Sequence, residues 1–324
     1  MKKTWIACAA LASLAGVAQA QSSVTLYGIV DAYLGRTKTE SLGSSVSTTG
    51  LNSGGLSTSR WGLSGSEDLG GGLKAIFNLE QSFNADNGTV GTPGSAFDRQ
   101  SWVGLEGGFG KFQMGNTWTA LDDVFYIGNS AFDSIFSPGA SDVMSLYAYN
   151  ANPGNVVRYT SPNFGGFSGA VSYKGKGAGI IKQTDFNVLY EAGPLTAALG
   201  YQQRDNTATN VKSKFTVLAG AYDFGVATLR GNVATTRNTV FGAKVDEYQI
   251  GADLPLSPAL TLSGGFARSE TDGADKRTGF GLAATYALSK RTTAYVAYNQ
   301  GKSKLGGVTQ AKETIYGAGL RHSF

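Results

Sequence analysis

After residue 20 the chain divides into segments of roughly 8–14 residues with a two-residue texture, and the joints between them alternate in length. Short joints fall at 66–72 ("SEDLGGG"), 107–111, 161–166, 192–194, 223–225, 256–259 and 288–290. Longer polar connections fall between them, at 37–57, 85–97, 119–154, 176–183, 205–211, 238–243, 271–276 and 304–310. The pattern predicts about sixteen strands, with short turns at one end and long loops at the other. An even number of antiparallel strands laid out this way fits a barrel closed across a membrane. A secreted sandwich or propeller has no need of the alternation.

The strands carry two unlike faces. In "RTGFGLAATYALS", Phe280, Leu282, Ala284, Tyr286 and Leu288 share one side, and Gly281, Ala283 and Thr285 the other. In "KVDEYQIGADLPL", Tyr248, Ile250, Ala252 and Leu254 oppose Glu247, Gln249, Gly251 and Asp253. Charge on one face means that face meets water; an apolar opposite face meets lipid or a core. Aromatics recur near expected strand ends, among them Tyr27, Trp61, Phe77, Trp102, Tyr190, Tyr222 and Tyr286, as an interfacial girdle requires.

The final stretch "ETIYGAGLRHSF" alternates in the same way and stops on Phe324. An open strand edge recruits other chains, so an alternating terminal strand is best paired with the first, 24–34, which closes the barrel. Phe324 then lies at the interface.

The first twenty residues have basic Lys2 and Lys3, a short apolar core and Ala18-Gln19-Ala20 before Gln21. They read as a secretory signal peptide (1–20) that leaves an outer-membrane barrel domain at 21–324. The sole cysteine, Cys8, falls within the leader, so the mature chain has no disulfide or thiolate metal site. Its charge is then about +2, too balanced for nucleic-acid binding. The 15 Tyr and 17 Phe exclude a solvated disordered chain, although the 46 Gly are unusually many. A mean hydropathy of −0.11 does not argue against a membrane barrel, because lipid-facing and lumen-facing residues average out.

One connection is out of proportion. Residues 119–154 hold Asp122, Asp123, Asp133 and Asp142, no Lys or Arg, and many aromatics. A long apolar-rich loop in the third hairpin can fold inward and narrow the lumen; the alternative is an outward surface loop. Arg60 and Arg158 alternate with apolar neighbours that face away from them, and Arg99 is inward if Trp102 is outward. Arginine in a hydrocarbon slab requires water or a counter-charge, so the three are candidates for a basic wall facing the acidic loop.

The ordered set "VTLYGIVDAYL", "SRWGLSGSEDLGGGLKAIFNLE", "VGLEGGFGKFQMGN", "VVRYTSPNFGGFSGAVSY" and "GAGLRHSF" resembles the general porins of Gram-negative outer membranes over essentially the whole mature chain. The resemblance implies an all-β, sixteen-stranded antiparallel transmembrane barrel with short periplasmic turns, long extracellular loops and an inward-folded third loop. It also implies a homotrimer, no cofactor, and passive diffusion of small hydrophilic solutes and ions. Arg60, Arg99 and Arg158 match the family's basic cluster, while Ile29 stands where some members carry a further basic residue. Asp123 and Asp133 are the best acidic partners, with Asp122 and Asp142 behind them. A substrate-specific channel is the nearest alternative, since Phe125, Tyr126, Phe132 and Phe136 could line a path. An adhesin would spread length over several loops. A hydrolytic barrel needs a nucleophile positioned by a base, and the only histidine, His322, lies on the apolar face of the last strand. The charges pull in opposite directions, and the expectation is weak anion selectivity or near-neutrality.

Overall fold

A computed structural model describes residues 23–177, 179–238, 244–271 and 275–324, so the signal peptide expected at 1–20 lies outside the described residues. Strand β1 (Ser23–Ser41) is followed by β2 (Ser44–Ser53), β3 (Arg60–Gly70), β4 (Leu73–Ser82), β5 (Gln100–Gly107) and β6 (Gly110–Asn116). After the long loop come β7 (Val156–Thr160), β8 (Phe167–Lys174), β9 (Ile181–Ala192), β10 (Leu195–Asn206), β11 (Val211–Asp223) and β12 (Thr228–Asn238). The chain finishes with β13 (Lys244–Pro255), β14 (Leu260–Thr271), β15 (Asp275–Ala287), β16 (Thr292–Leu305) and β17 (Val308–Ser323). All pair antiparallel in one sheet, and β17 returns to pair with β1.

These seventeen segments make sixteen staves, because β2 and β3 share one position. The upper half of β1 pairs with β2, Ala32 opposite Ser53, and the lower half with β3, Ile29 opposite Arg60. The break at 54–59 is tied to Asp31. Its carboxylate accepts the backbone N–H groups of Gly55 (3.1 Å), Leu56 (2.9 Å) and Ser57 (2.8 Å), and the Tyr295 hydroxyl. A fully buried carboxylate surrounded by donors is satisfied without a cation.

The terminal strand closes the barrel as its alternation predicts. Ile29 lies opposite Ser323, and Gly28 and Phe324 exchange backbone hydrogen bonds of 3.1 Å in both directions. The Phe324 ring covers Gly28, where a Cβ would come within 2.4 Å of it; only glycine fits there.

The short turns fall where the sequence places them, but two of the polar connections are shorter than their composition suggests. The segment 37–57 is mostly strand, and 304–310 reduces to a two-residue turn at Gly306 and Gly307, both at positive φ. Ser- and Thr-rich stretches read as loops, yet here they continue the hairpins beyond the apolar band. The connections around 238–243 and 271–276 lie partly outside the described residues.

Two aromatics of the expected girdle point the other way. The Tyr27 hydroxyl donates to Glu80 (2.9 Å) and to Asn78 (3.2 Å) inside the barrel. Trp102 stands opposite Asn78 and shares its inward face. The two-residue rule assigns residues to faces only once one face is known, and in these strands large rings occupy the wet side.

Candidate functional site

Residues 117–155 leave the barrel wall after β6 and fold into the lumen. They carry one helical turn, Asp122–Phe125, and 3-10 turns at Tyr126–Gly128, Ala131–Asp133 and Ser145–Ala148. Apolar loop residues drive the docking: Leu121, Val124, Ile127, Met144 and Leu146 are buried against Phe215, Val217 and small wall residues such as Ala219 and Ala234. A second cluster joins Phe136 and Ala131 to Tyr33, Leu56 and Tyr295. Glycines make room for this. A Cβ at Gly279 would lie 1.8 Å from the Pro138 carbonyl oxygen, and one at Gly281 2.2 Å from that of Phe136. Part of the glycine excess is therefore a berth for the loop.

Polar anchors fix its position. Glu247 accepts from the backbone N–H groups of Ser145 and Leu146 and from the Ser145 hydroxyl. The Asn152 amide donates to the carbonyls of Asp98 (3.1 Å) and Arg99 (3.0 Å).

The loop thus lines the β10–β16 side, and an open space of about 510 Å³ remains between it and residues 54–58. Asp133, Asp142, Thr58 and Glu313 border that space. The three candidate arginines do not form one cluster. Arg60 and Arg99 converge on Glu80, at 3.5 Å and 2.6 Å, and the Arg99 guanidinium lies 5.0 Å above the Trp118 ring. Arg99 precedes β5 and turns inward although Trp102 also faces in, so strand parity does not govern it. Arg158, on β7, is buried instead against the root of the loop. It pairs with Asp123 and donates to the carbonyl oxygen of Trp118 (2.8 Å).

The four aspartates divide similarly. Asp123 is shared by Arg158 and the Asn187 amide (2.8 Å). Asp122 is buried and receives the Tyr149 hydroxyl; burial pushes its carboxyl up to about 7. Asp133 sits in a left-handed turn with Ala131 and Phe132, φ 48°, 54° and 64°, and accepts from Asn129; burial pushes it up to about 6. The Asp142 carbonyl, not its carboxylate, receives Arg277 at 2.8 Å.

Sequence reasoning missed Glu80 and Arg321. Arg321 lies opposite Asp31 on the inward register of β17 and makes no ion pair among the described residues. The signal was present: Arg321 alternates with Gly319 and Ser323 on the polar face of the last strand. It supplies positive charge on the inward face close to Ile29, which lies opposite the neighbouring inward residue Ser323.

A family model described as "Gram-negative porin" matches residues 7–306. The chain is 31% identical to an outer membrane porin protein of Bordetella pertussis and 33% identical to outer membrane porin protein 32 of Delftia acidovorans, in each case over all of both chains. A solved structure named as an anion-selective porin from Comamonas acidovorans superposes with a TM-score of 0.81 at 29% identity, covering 94% of this chain and 100% of that one. With its closed barrel and these relatives, the chain belongs to the Gram-negative porins and is a passive diffusion channel of the outer membrane.

Proposed function

We propose that small hydrophilic solutes and ions pass through the gap between loop 119–154 and the wall carrying Arg60, Arg99 and Arg321, with a mild preference for anions. One observation carries the sign: Glu80 serves two arginines, and the third has no ion-pair partner among the described residues. The loop offsets only part of this excess: Asp123 is paired with Arg158 and Asp122 is buried, which leaves Asp133 and Asp142 at the border of the gap. Fixed charge at a narrow point sets which ion meets the lower barrier. The name of the Comamonas relative agrees with that sign.

The loop aromatics favour open diffusion over a sugar path. Phe136 is buried edge-on against Tyr33 at 5.8 Å, and Phe125 packs on Tyr149 at 4.8 Å, so they hold the loop instead of lining a continuous track. Permeation of this kind needs no cofactor and no catalytic group. The exported chain, freed of residues 1–20, assembles as the homotrimer that the family resemblance implies. Recording in a planar bilayer under a KCl gradient tests the proposal. Conductance steps in threes and a reversal potential on the chloride side support it, and a potassium preference overturns it.

A further inference from the structure

The wall that carries Arg60 and Arg99 also carries rings that selection by charge does not use. Tyr27 on β1 and Trp102 on β5 face the lumen, one on each side of the β4 residue Glu80 that holds both arginines. Val103, next to Trp102, is 54% exposed and takes the lipid side, as alternation requires. Glycines leave both rings uncrowded. The Tyr27 ring lies across Gly62, where a Cβ would come within 2.7 Å of it, and its hydroxyl so reaches Glu80 two strands away. Trp102 has Gly115 directly opposite it on β6, which offers no side chain to cover the indole. The indole Nε1 donates to the Gln100 Oε1 at 2.8 Å, and Gln100 stands opposite Glu80, so the ring leans to the level of the arginines.

The two guanidiniums beside these rings are not saturated. Arg99 gives its Nε to Glu80, and Arg60 gives one Nη to the Thr58 carbonyl oxygen at 3.2 Å. Neither Nη of Arg99 makes a hydrogen bond among the described residues. A guanidinium carries five N–H donors in one plane and takes a carboxylate through two of them. The Trp118 ring, 5.0 Å from the Arg99 guanidinium, steadies that fork.

The geometry points to a site for aromatic carboxylates at this wall, with the acid group on Arg99 and Arg60 and the ring stacked on Trp102 beside the flat-lying Tyr27. The inference rests on the anion passage proposed above and names the anions that linger in it. Chloride uses the charge alone. An aliphatic acid adds size but no aromatic face, whereas a ring-on-ring contact is worth roughly a two- to tenfold preference. Glu80, already shared by the two arginines, keeps the hold weak enough for release, which conduction requires.

The test records KCl conductance of the folded full barrel in planar bilayers while sodium benzoate or sodium cyclohexanecarboxylate is added at neutral pH. The two acids carry the same charge and are close in size; the second is the more apolar but has no aromatic face. Half-block by benzoate is expected at a roughly fivefold lower concentration. The difference should vanish in Trp102→Leu, and Arg99→Gln should weaken block by both acids. Equal block by the two acids in the wild-type barrel, which needs no substitution to measure, overturns the ring site. So does an undiminished difference in a conducting Trp102→Leu barrel. Block by neutral benzyl alcohol at the same concentrations would show an apolar site independent of the arginines and likewise overturn it. The reversal potential of the same barrel separates the two readings. Equal block with a chloride preference removes the ring site alone, and a potassium preference removes it together with the anion passage on which it rests.

Discussion

The Nε of Arg99 donates to a Glu80 carboxylate oxygen at 2.6 Å, so the wall's best-placed anion is committed to a cation from the same wall. Glu80 is 4% exposed and cannot exchange this partner for water. Glu80→Gln keeps the shape and removes the only counter-charge that Arg60 and Arg99 share. The chloride-to-potassium permeability ratio is expected to rise severalfold. An unchanged reversal potential would show that permeating ions do not sense this pair.

Arg158 acts at the loop root instead of the open gap, and its loss should register as loop release. Removing one partner of a buried pair costs about 3–5 kcal/mol, mostly through the charge left behind. Arg158→Ala is therefore expected to lower the unfolding midpoint and add fast closures to single-channel records. Asp123→Asn leaves the more buried charge, Arg158, without its counter-charge and is expected to cost at least as much. A double-mutant cycle measures the coupling, and additive effects would refute a direct pair.

Much of this was legible in the sequence, for identifiable reasons. Barrel closure followed from the alternation up to Phe324, and Arg60 and Arg158 followed from strands with clean two-residue texture. Facing was lost where that texture blurred: Tyr27 and Trp102 carry large rings to the wet side, and Arg99 sits outside its strand. The split second stave was not readable, because it depends on Asp31 meeting the backbone of 55–57, a contact that no spacing encodes. Nor was the partnering of the aspartates. Composition shows four acids in one loop, but burial and the positions of Arg158, Tyr149 and Asn129 decide which remain available as charges.

Acidification should strengthen anion preference. Asp122 and Asp133 have ordinary values near 3.8, and burial raises them to about 7 and about 6. From pH 8 to pH 5 both become neutral in the folded loop, which removes negative charge beside the gap. The same shifts set the sign for stability. Between about pH 4 and 7 the folded loop holds more protons than the unfolded chain, so loop stability falls as pH rises through that window and is level above it. Reversal potentials measured at pH 5 and pH 8 check the first statement. In the Asp122→Asn/Asp133→Asn variant the difference between them should largely vanish; a full pH response in that variant would assign it to other groups.

Asp31 is expected to matter more for the barrel than for the ions. Its carboxylate satisfies three backbone donors and the Tyr295 hydroxyl in a fully buried position, and the turn it holds carries Leu56 into the cluster that seats Phe136 of the loop. Asp31→Ala leaves these donors without an acceptor at about 1–3 kcal/mol each, so a loss of at least about 3 kcal/mol is expected, read as a lower midpoint in urea or on heating. Asp31→Asn retains one acceptor oxygen and should fall between wild type and alanine. Gly55→Ala tests the same turn from the other side, because its Cβ would meet the Tyr295 hydroxyl oxygen at 2.1 Å. If Asp31 served as a selectivity charge instead, Asp31→Asn would shift the reversal potential at unchanged stability. The structural role requires the opposite: a lower midpoint, noisier open-channel current from a loosened loop seat, and an unchanged ion preference.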